Sequence, residues 1–200
     1  MGKGELVSNK TSRALIGLAI AGSALLTACA SDDPLAAQAG NSGGKNYIAG
    51  DGSVMELAVD DRGESVEFSG QTFDGDTIST ETLEGPALVN FWYASCAPCR
   101  VEAPDLANLS QEFGDDVSFV GVNVRDAAET AAAFERNFNI EYPSIEGRDG
   151  KILLDFADYV PPQAVPTTLI LDEEGRVAAR VLGAVEHSTL KSLLTGVVDE

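Results

Sequence analysis

The chain is short of the residues that usually hold a metal ion or move protons near neutral pH. It has one histidine, His187, three cysteines and two methionines in 200 residues. Positive charge is scarce as well, with 13 lysines and arginines against 32 aspartates and glutamates and a net charge of −19. So acidic a surface repels nucleic acid and anionic headgroups, which excludes a nucleic-acid partner and attachment to a membrane through a basic patch. A structural zinc site wants four Cys or His ligands, and beyond the close pair Cys96 and Cys99 the chain offers only Cys29 and His187. Glu173 and Glu174 read as the tip of a hairpin rather than a metal site, since no further ligands cluster around them. No apolar run reaches the ~20 residues that span a bilayer comfortably, and no internal repeat is visible.

What is present begins with a bipolar N-terminus. Lys3, Lys10 and Arg13 precede an apolar segment from Ala14 to Ala28, the pattern of an export signal. Leu26-Thr27-Ala28-Cys29 resembles a bacterial lipobox, which implies cleavage before Cys29 and lipidation of its thiol. The expected domains are a signal peptide over 1–28, a lipidated Cys29 with a flexible linker over 29–58, and one folded domain over 59–200. The linker reading rests on Ala-Gly-Asn-Ser-Gly-Gly and Gly-Asp-Gly-Ser, which carry few large apolar residues. Whether lipidated or retained as an anchor, the segment places the domain on the extracytoplasmic side of the cell membrane.

In the folded part, Val66-Glu67-Phe68 and Thr77-Ile78-Ser79 around Asp74-Gly75-Asp76 predict a β-hairpin. Apolar runs predict buried strands over Ala87–Trp92 and Val117–Val124, with a helix between them that starts near Pro98, kinks at Pro104 and stops at Gly114. Strand-helix-strand at this length argues a parallel crossover. A second helix is expected over Ala127–Phe138, an extended path over Ile140–Ile145 and a short helix over Ile152–Phe156. Leu169-Ile170-Leu171 and Arg176–Leu182 form a hairpin about Asp172–Gly175, and a last amphipathic helix begins near Ser188.

The chemistry concentrates in Cys96-Ala97-Pro98-Cys99, at the strand-to-helix junction. Unpaired N–H groups at a helix start carry partial positive charge, which stabilises a thiolate and lowers its pKa. Proline in the first turn loses no hydrogen bond there, which suits Pro98. A purely structural disulfide between residues three apart closes a loop so short that it removes little unfolded-chain entropy. A redox pair that exchanges with other disulfides is the remaining reading.

With Phe-Trp-x-x-x-Cys-x-Pro-Cys after one strand and Val-Pro-Thr-Thr before another some seventy residues later, the chain resembles the thioredoxin superfamily. The lipobox, the Asn90 strand, the Gly-Val-Asn-Val strand and the insert from Asp126 to Tyr159 are similar to those of the ResA/TlpA-like extracytoplasmic thiol-disulfide oxidoreductases. The resemblance implies an α/β, thioredoxin-like fold: a central mixed β-sheet flanked by helices, an N-terminal β-hairpin and a central αβ insert. Cys96 then resembles the exposed nucleophile, Cys99 the buried resolving thiol, and Pro166 the cis-proline facing the pair. Val165, Pro166 and Thr167 would meet the substrate chain, with Trp92 an aromatic beside them. Glu102, three residues after Cys99 and on the same helical face, resembles an active-site glutamate that takes the proton of Cys99. The family calls for no cofactor.

Two positions depart from relatives. Thioredoxin has a buried acid where Asn90 stands, which moves any proton acceptor elsewhere, and Ser95 replaces the tryptophan that most relatives carry before the first cysteine. The direction of electron flow is read from Ala97-Pro98. Oxidants of the DsbA type carry a histidine there and sit near −120 mV, whereas thioredoxin lacks it and sits at about −270 mV. An uncharged dipeptide therefore predicts a reductant. The resemblance implies a CcdA/DsbD-like membrane electron donor and the oxidised Cys-x-x-Cys-His site of apocytochrome c as substrate. The alternatives are a general disulfide reductase or isomerase of exported proteins and a peroxiredoxin-like thiol peroxidase. Against the latter, Val89 and Tyr93 stand where a peroxidatic Pro-x-x-x-Thr-x-x-Cys motif has its proline and threonine.

Overall fold

The computed structural model describes residues 53–200. The expected signal peptide over 1–28, Cys29 and most of the expected linker lie outside the described residues.

β-Branched and aromatic residues dominate the apolar runs and fold them into strands buried on both faces. β4 (Ala87–Trp92), β5 (Ser118–Asn123) and β7 (Thr167–Leu171) are buried almost throughout. The sheet also contains β1 (Val54–Glu56), β6 (Ser144–Glu146) and β8 (Val177–Leu182), in the order β1-β8-β7-β4-β5-β6. β4 pairs parallel with β5, and β5 with β6; β4–β7, β7–β8 and β8–β1 are antiparallel. The helices are α1 (Ala97–Phe113), α2 (Ala128–Phe138), α3 (Lys151–Asp155) and α4 (His187–Val198).

Side chains alternate across β4, and that alternation sets up the site. Ala87, Val89 and Phe91 join a core with Val66, Phe68, Ile152 and Phe156 on one face. Leu88 joins Leu106 and Leu109 of α1 and Leu190 and Leu194 of α4 on the other. Asn90 and Trp92 share the parity of Leu88, so the strand delivers an amide and an indole to the α1 face. Trp92 needs room there, and Gly121 of β5 provides it: a Cβ at Gly121 would sit 2.8 Å from Trp92 Nε1 and would also meet Ser144 Oγ.

Two predicted boundaries shift. Residues 54–56, expected in the linker, form β1 and pair with Ala179–Val181 of β8. The hairpin strand is Ser69–Gln71 (β2), paired with Thr77–Ser79 (β3), rather than Val66–Phe68. Val66 and Phe68 are instead pulled into the core, and the Thr80 hydroxyl satisfies their backbone by donating to Val66 O and accepting from Phe68 N. Burial of two large side chains outweighs continuing the ladder.

α1 runs through Pro104 as one assigned helix. Pro104 lies on the exposed face, where the Arg100 carbonyl that its missing N–H leaves without a helical donor faces the solvent side of the helix. The hairpin turn between β7 and β8 carries Glu173 and Glu174 at its exposed tip, but Asp172 is buried. It accepts from Glu174 N and Arg176 N and meets Arg62 Nη1 at 2.8 Å. Arg62, whose side chain is wholly buried, also contacts Glu200 at 2.6 Å. Among the described residues no helix is long and apolar enough to cross a membrane.

Candidate active site

β4 ends at Trp92, and the chain turns through Tyr93-Ala94-Ser95 before α1 begins. Cys96 N donates to Tyr93 O at 3.1 Å, which closes this turn. Cys96 is the N-cap of α1, and its sulfur accepts from Cys99 N at 3.1 Å. The free N–H groups of a helix start thus point at a sulfur that can carry negative charge. The two sulfurs are bonded as a disulfide, with Cα atoms 5.3 Å apart.

The loop before β7 lies opposite. The Val165–Pro166 peptide is cis, and Val165 O is 3.9 Å from Cys96 Sγ. The loop is held by Gly183 N donating to Pro166 O at 2.8 Å and by the Thr167 hydroxyl donating to Ala164 O.

Burial corrects three expectations. Cys96, expected to be exposed, is 2% exposed, because Tyr93, Ala94 and Val165 pack over the oxidised pair. Trp92, expected at the substrate surface, is 3% exposed and stacks on Phe134 with ring centroids 4.5 Å apart; it forms the floor of the site. The Thr167 side chain is fully buried and spends its hydroxyl on the loop, so it is closed to a partner chain.

Glu102 sits one turn beyond Cys99 on the buried face of α1 and is 1% exposed. Two groups hold its carboxylate: Asn90 Nδ2 of β4 donates to Oε1 at 2.9 Å, and Val185 N, from the loop before α4, donates to Oε2 at 3.3 Å. Asn90 Nδ2 also donates to Thr168 Oγ1 of β7 at 3.0 Å. Burial pushes the Glu102 pKa up to about 7, against the smaller opposing effect of the bonds from Asn90 and Val185. The group can take or give a proton near neutrality.

Some supporting residues were not anticipated. Asp126 Oδ2 accepts from Ala94 N at 2.6 Å and from Asn123 Nδ2 at 3.0 Å, while Asn123 Oδ1 caps Arg125 N and Asp126 N. This small network ties the cysteine turn to the end of β5. An Asn three residues before an Asp at a strand end is the pattern of a side-chain-capped turn, and that spacing was the available signal. Arg100 lies over the Phe138 ring at 5.1 Å and Arg125 over the Tyr93 ring at 3.9 Å. No group of three or more His, Cys, Asp or Glu suited to a metal occurs among the described residues.

A cysteine pair opening a helix against a mixed sheet, with a proline loop across from it and a buried carboxyl behind, defines a thioredoxin-like thiol-disulfide oxidoreductase. Known proteins agree. The chain is 29% identical to thioredoxin-like protein YneN of Bacillus subtilis, over 71% of this chain and 83% of that one. It is 27% identical to thiol-disulfide oxidoreductase ResA of the same organism, over 66% and 73%. Among solved structures, a DsbF homologue from Corynebacterium diphtheriae superposes with a TM-score of 0.65 at 29% identity, covering 76% of this chain and 98% of that one. A family profile described as AhpC/TSA matches residues 63–180, and the chain belongs to that family.

Proposed function

We propose that the chain is a lipid-anchored extracytoplasmic reductase of protein disulfides, of which the oxidised Cys-x-x-Cys-His site of apocytochrome c is the favoured substrate. The observation that carries the reading is a cysteine pair at the α1 N-terminus with a carboxyl group one turn behind it, held by Asn90 and Val185 and poised near neutral pH. In the reduced state the Cys96 thiolate attacks one sulfur of the partner disulfide. A Cys96–partner bond forms and the partner's other sulfur leaves as a thiolate. Cys99 then loses its proton to Glu102 and attacks Cys96, so the Cys96–Cys99 bond forms and the second partner sulfur is released. Two electrons pass to the partner, and the pair is left oxidised.

Val165 would present its backbone to the bound segment, since its carbonyl already lies 3.9 Å from Cys96 Sγ. The reducing direction is supported by Ala97-Pro98, which adds no charge between the sulfurs, and by the position of His187 at the start of α4. No soluble thiol pool maintains a reductant outside the cytoplasm, so a CcdA/DsbD-like membrane protein would return the electrons. Cys29, through its lipid, would hold the domain near that donor. The reduction potential of the Cys96–Cys99 couple tests the direction: a value below about −200 mV is expected, and one above it assigns an oxidant or isomerase. Cys99→Ser tests the sequence of steps, because it should trap a Cys96–partner adduct seen as added mass under non-reducing conditions.

A further inference from the structure

In a chain with so few bases, Arg100 and Arg125 bracket the cysteine turn. Cys96 closes that turn by donating to Tyr93 O. Arg125 covers the ring of Tyr93, the first residue of the turn, and Arg100 Nη1 donates to the carbonyl of Ala94, the second, at 3.4 Å. Both arginines are exposed. Among the described residues neither enters an ion pair, as is also true of Arg136 and Arg180, whereas Arg62, Arg148, Lys151, Arg176 and Lys191 all do. Asp126, next to Arg125 in sequence, commits its Oδ2 to Ala94 N and Asn123 Nδ2.

The two guanidinium groups are therefore held by aromatic rings, Phe138 and Phe134 for Arg100 and Tyr93 for Arg125, and not by carboxylates. A ring face fixes the plane of a guanidinium while leaving its charge and N–H edge available. Such a pre-set fork matches a carboxylate. In a chain of net charge −19, the turn beside Cys96 thus carries two of its few cations.

We propose that Arg100 and Arg125 form a recognition rim that favours partner disulfides flanked by aspartate or glutamate. The proposal rests on the disulfide-reductase reading and adds a substrate preference to it; the thiol exchange itself is unchanged.

The test uses the full chain, reduced and freed of reductant, with three Cys-x-x-Cys disulfide peptides that differ only in two flanking residues: Glu, Gln or Lys. Two exposed charge contacts predict a Glu-to-Lys rate ratio of about five- to tenfold at low salt. The ratio should shrink toward one at high salt as the contacts are screened. Arg100→Gln with Arg125→Gln should bring the ratio to about one, and the Lys double variant should keep a preference of about twofold or more. A wild-type ratio of one or below, or a ratio unchanged in the Gln double variant, overturns the rim while leaving the reductase reading in place. Failure to reduce even the Gln peptide overturns both.

Discussion

Replacing Glu102 by glutamine should change how the stability of the fold depends on pH. Glu102 is 1% exposed, and burial raises its pKa from 4.5 to about 7. The folded chain holds this proton more tightly than the unfolded chain. The sign follows: the stabilising effect is fully present below about pH 4.5, falls as pH rises and is gone once pH passes about 7. At about 1.4 kcal/mol for each tenfold change in proton affinity, the ionised carboxylate costs the fold roughly 3 kcal/mol. Glutamine keeps the shape and the acceptor for Asn90 or Val185 but cannot ionise. Urea unfolding of both proteins at pH 5, 6, 7 and 8 should show Glu102→Gln gaining about 2–3 kcal/mol on the parent across that range. Other titrating groups are common to both chains and drop out of the difference. Parallel stability curves would refute the argument, because they would mean that the carboxyl ionises as easily inside the fold as outside it.

Other perturbations read different parts of the molecule. Arg62→Ala removes the guanidinium that faces buried Asp172 and should cost about 3 kcal/mol in denaturant unfolding; a loss under 1 kcal/mol would mean that Arg176 alone suffices. Gly121→Ala places a methyl against Trp92 and should cost about 1–3 kcal/mol with a shift in the emission of this sole tryptophan; an unmoved spectrum and stability would contradict the packing. Asp126→Ala strips the acceptor from Ala94 N and should cost about 1–3 kcal/mol while slowing disulfide exchange, as measured by insulin reduction. Exchange at the parent rate would show that the turn holds its shape without the tie.

Much of this arrangement could be read from the chain because its strongest signals are local. The strands β4, β5 and β7 each carry a short run rich in apolar residues, and α1 opens at its cysteine pair. β1 was hidden for the opposite reason. Val54-Met55-Glu56 sits among glycines and aspartates, and its only reason to be extended is a ladder with β8, more than 120 residues away in sequence. The Val66–Phe68 segment alternates like a strand, yet its side chains are worth more in the core than its backbone is in a hairpin. At the site, the cysteines, Pro166 and Glu102 stood out by motif. The partners of Glu102 did not, since Asn90 and Val185 come from separate elements and only folding brings them to one carboxylate, with Thr168 of β7 holding Asn90 in turn. Cys96 and Trp92 carried no sign of how deeply they would be covered, because that depends on Tyr93, Val165 and Phe134 closing over them.

The covered sulfur has a consequence for traffic through the site. In the oxidised form almost no part of Cys96 touches water, so a small free thiol wandering past has little to strike. Exchange at the pair then calls for a visitor broad enough to displace Tyr93 and Val165 by its own fit. Admission is set by shape before chemistry begins, which insulates the stored oxidising equivalent from whatever else drifts through the surroundings.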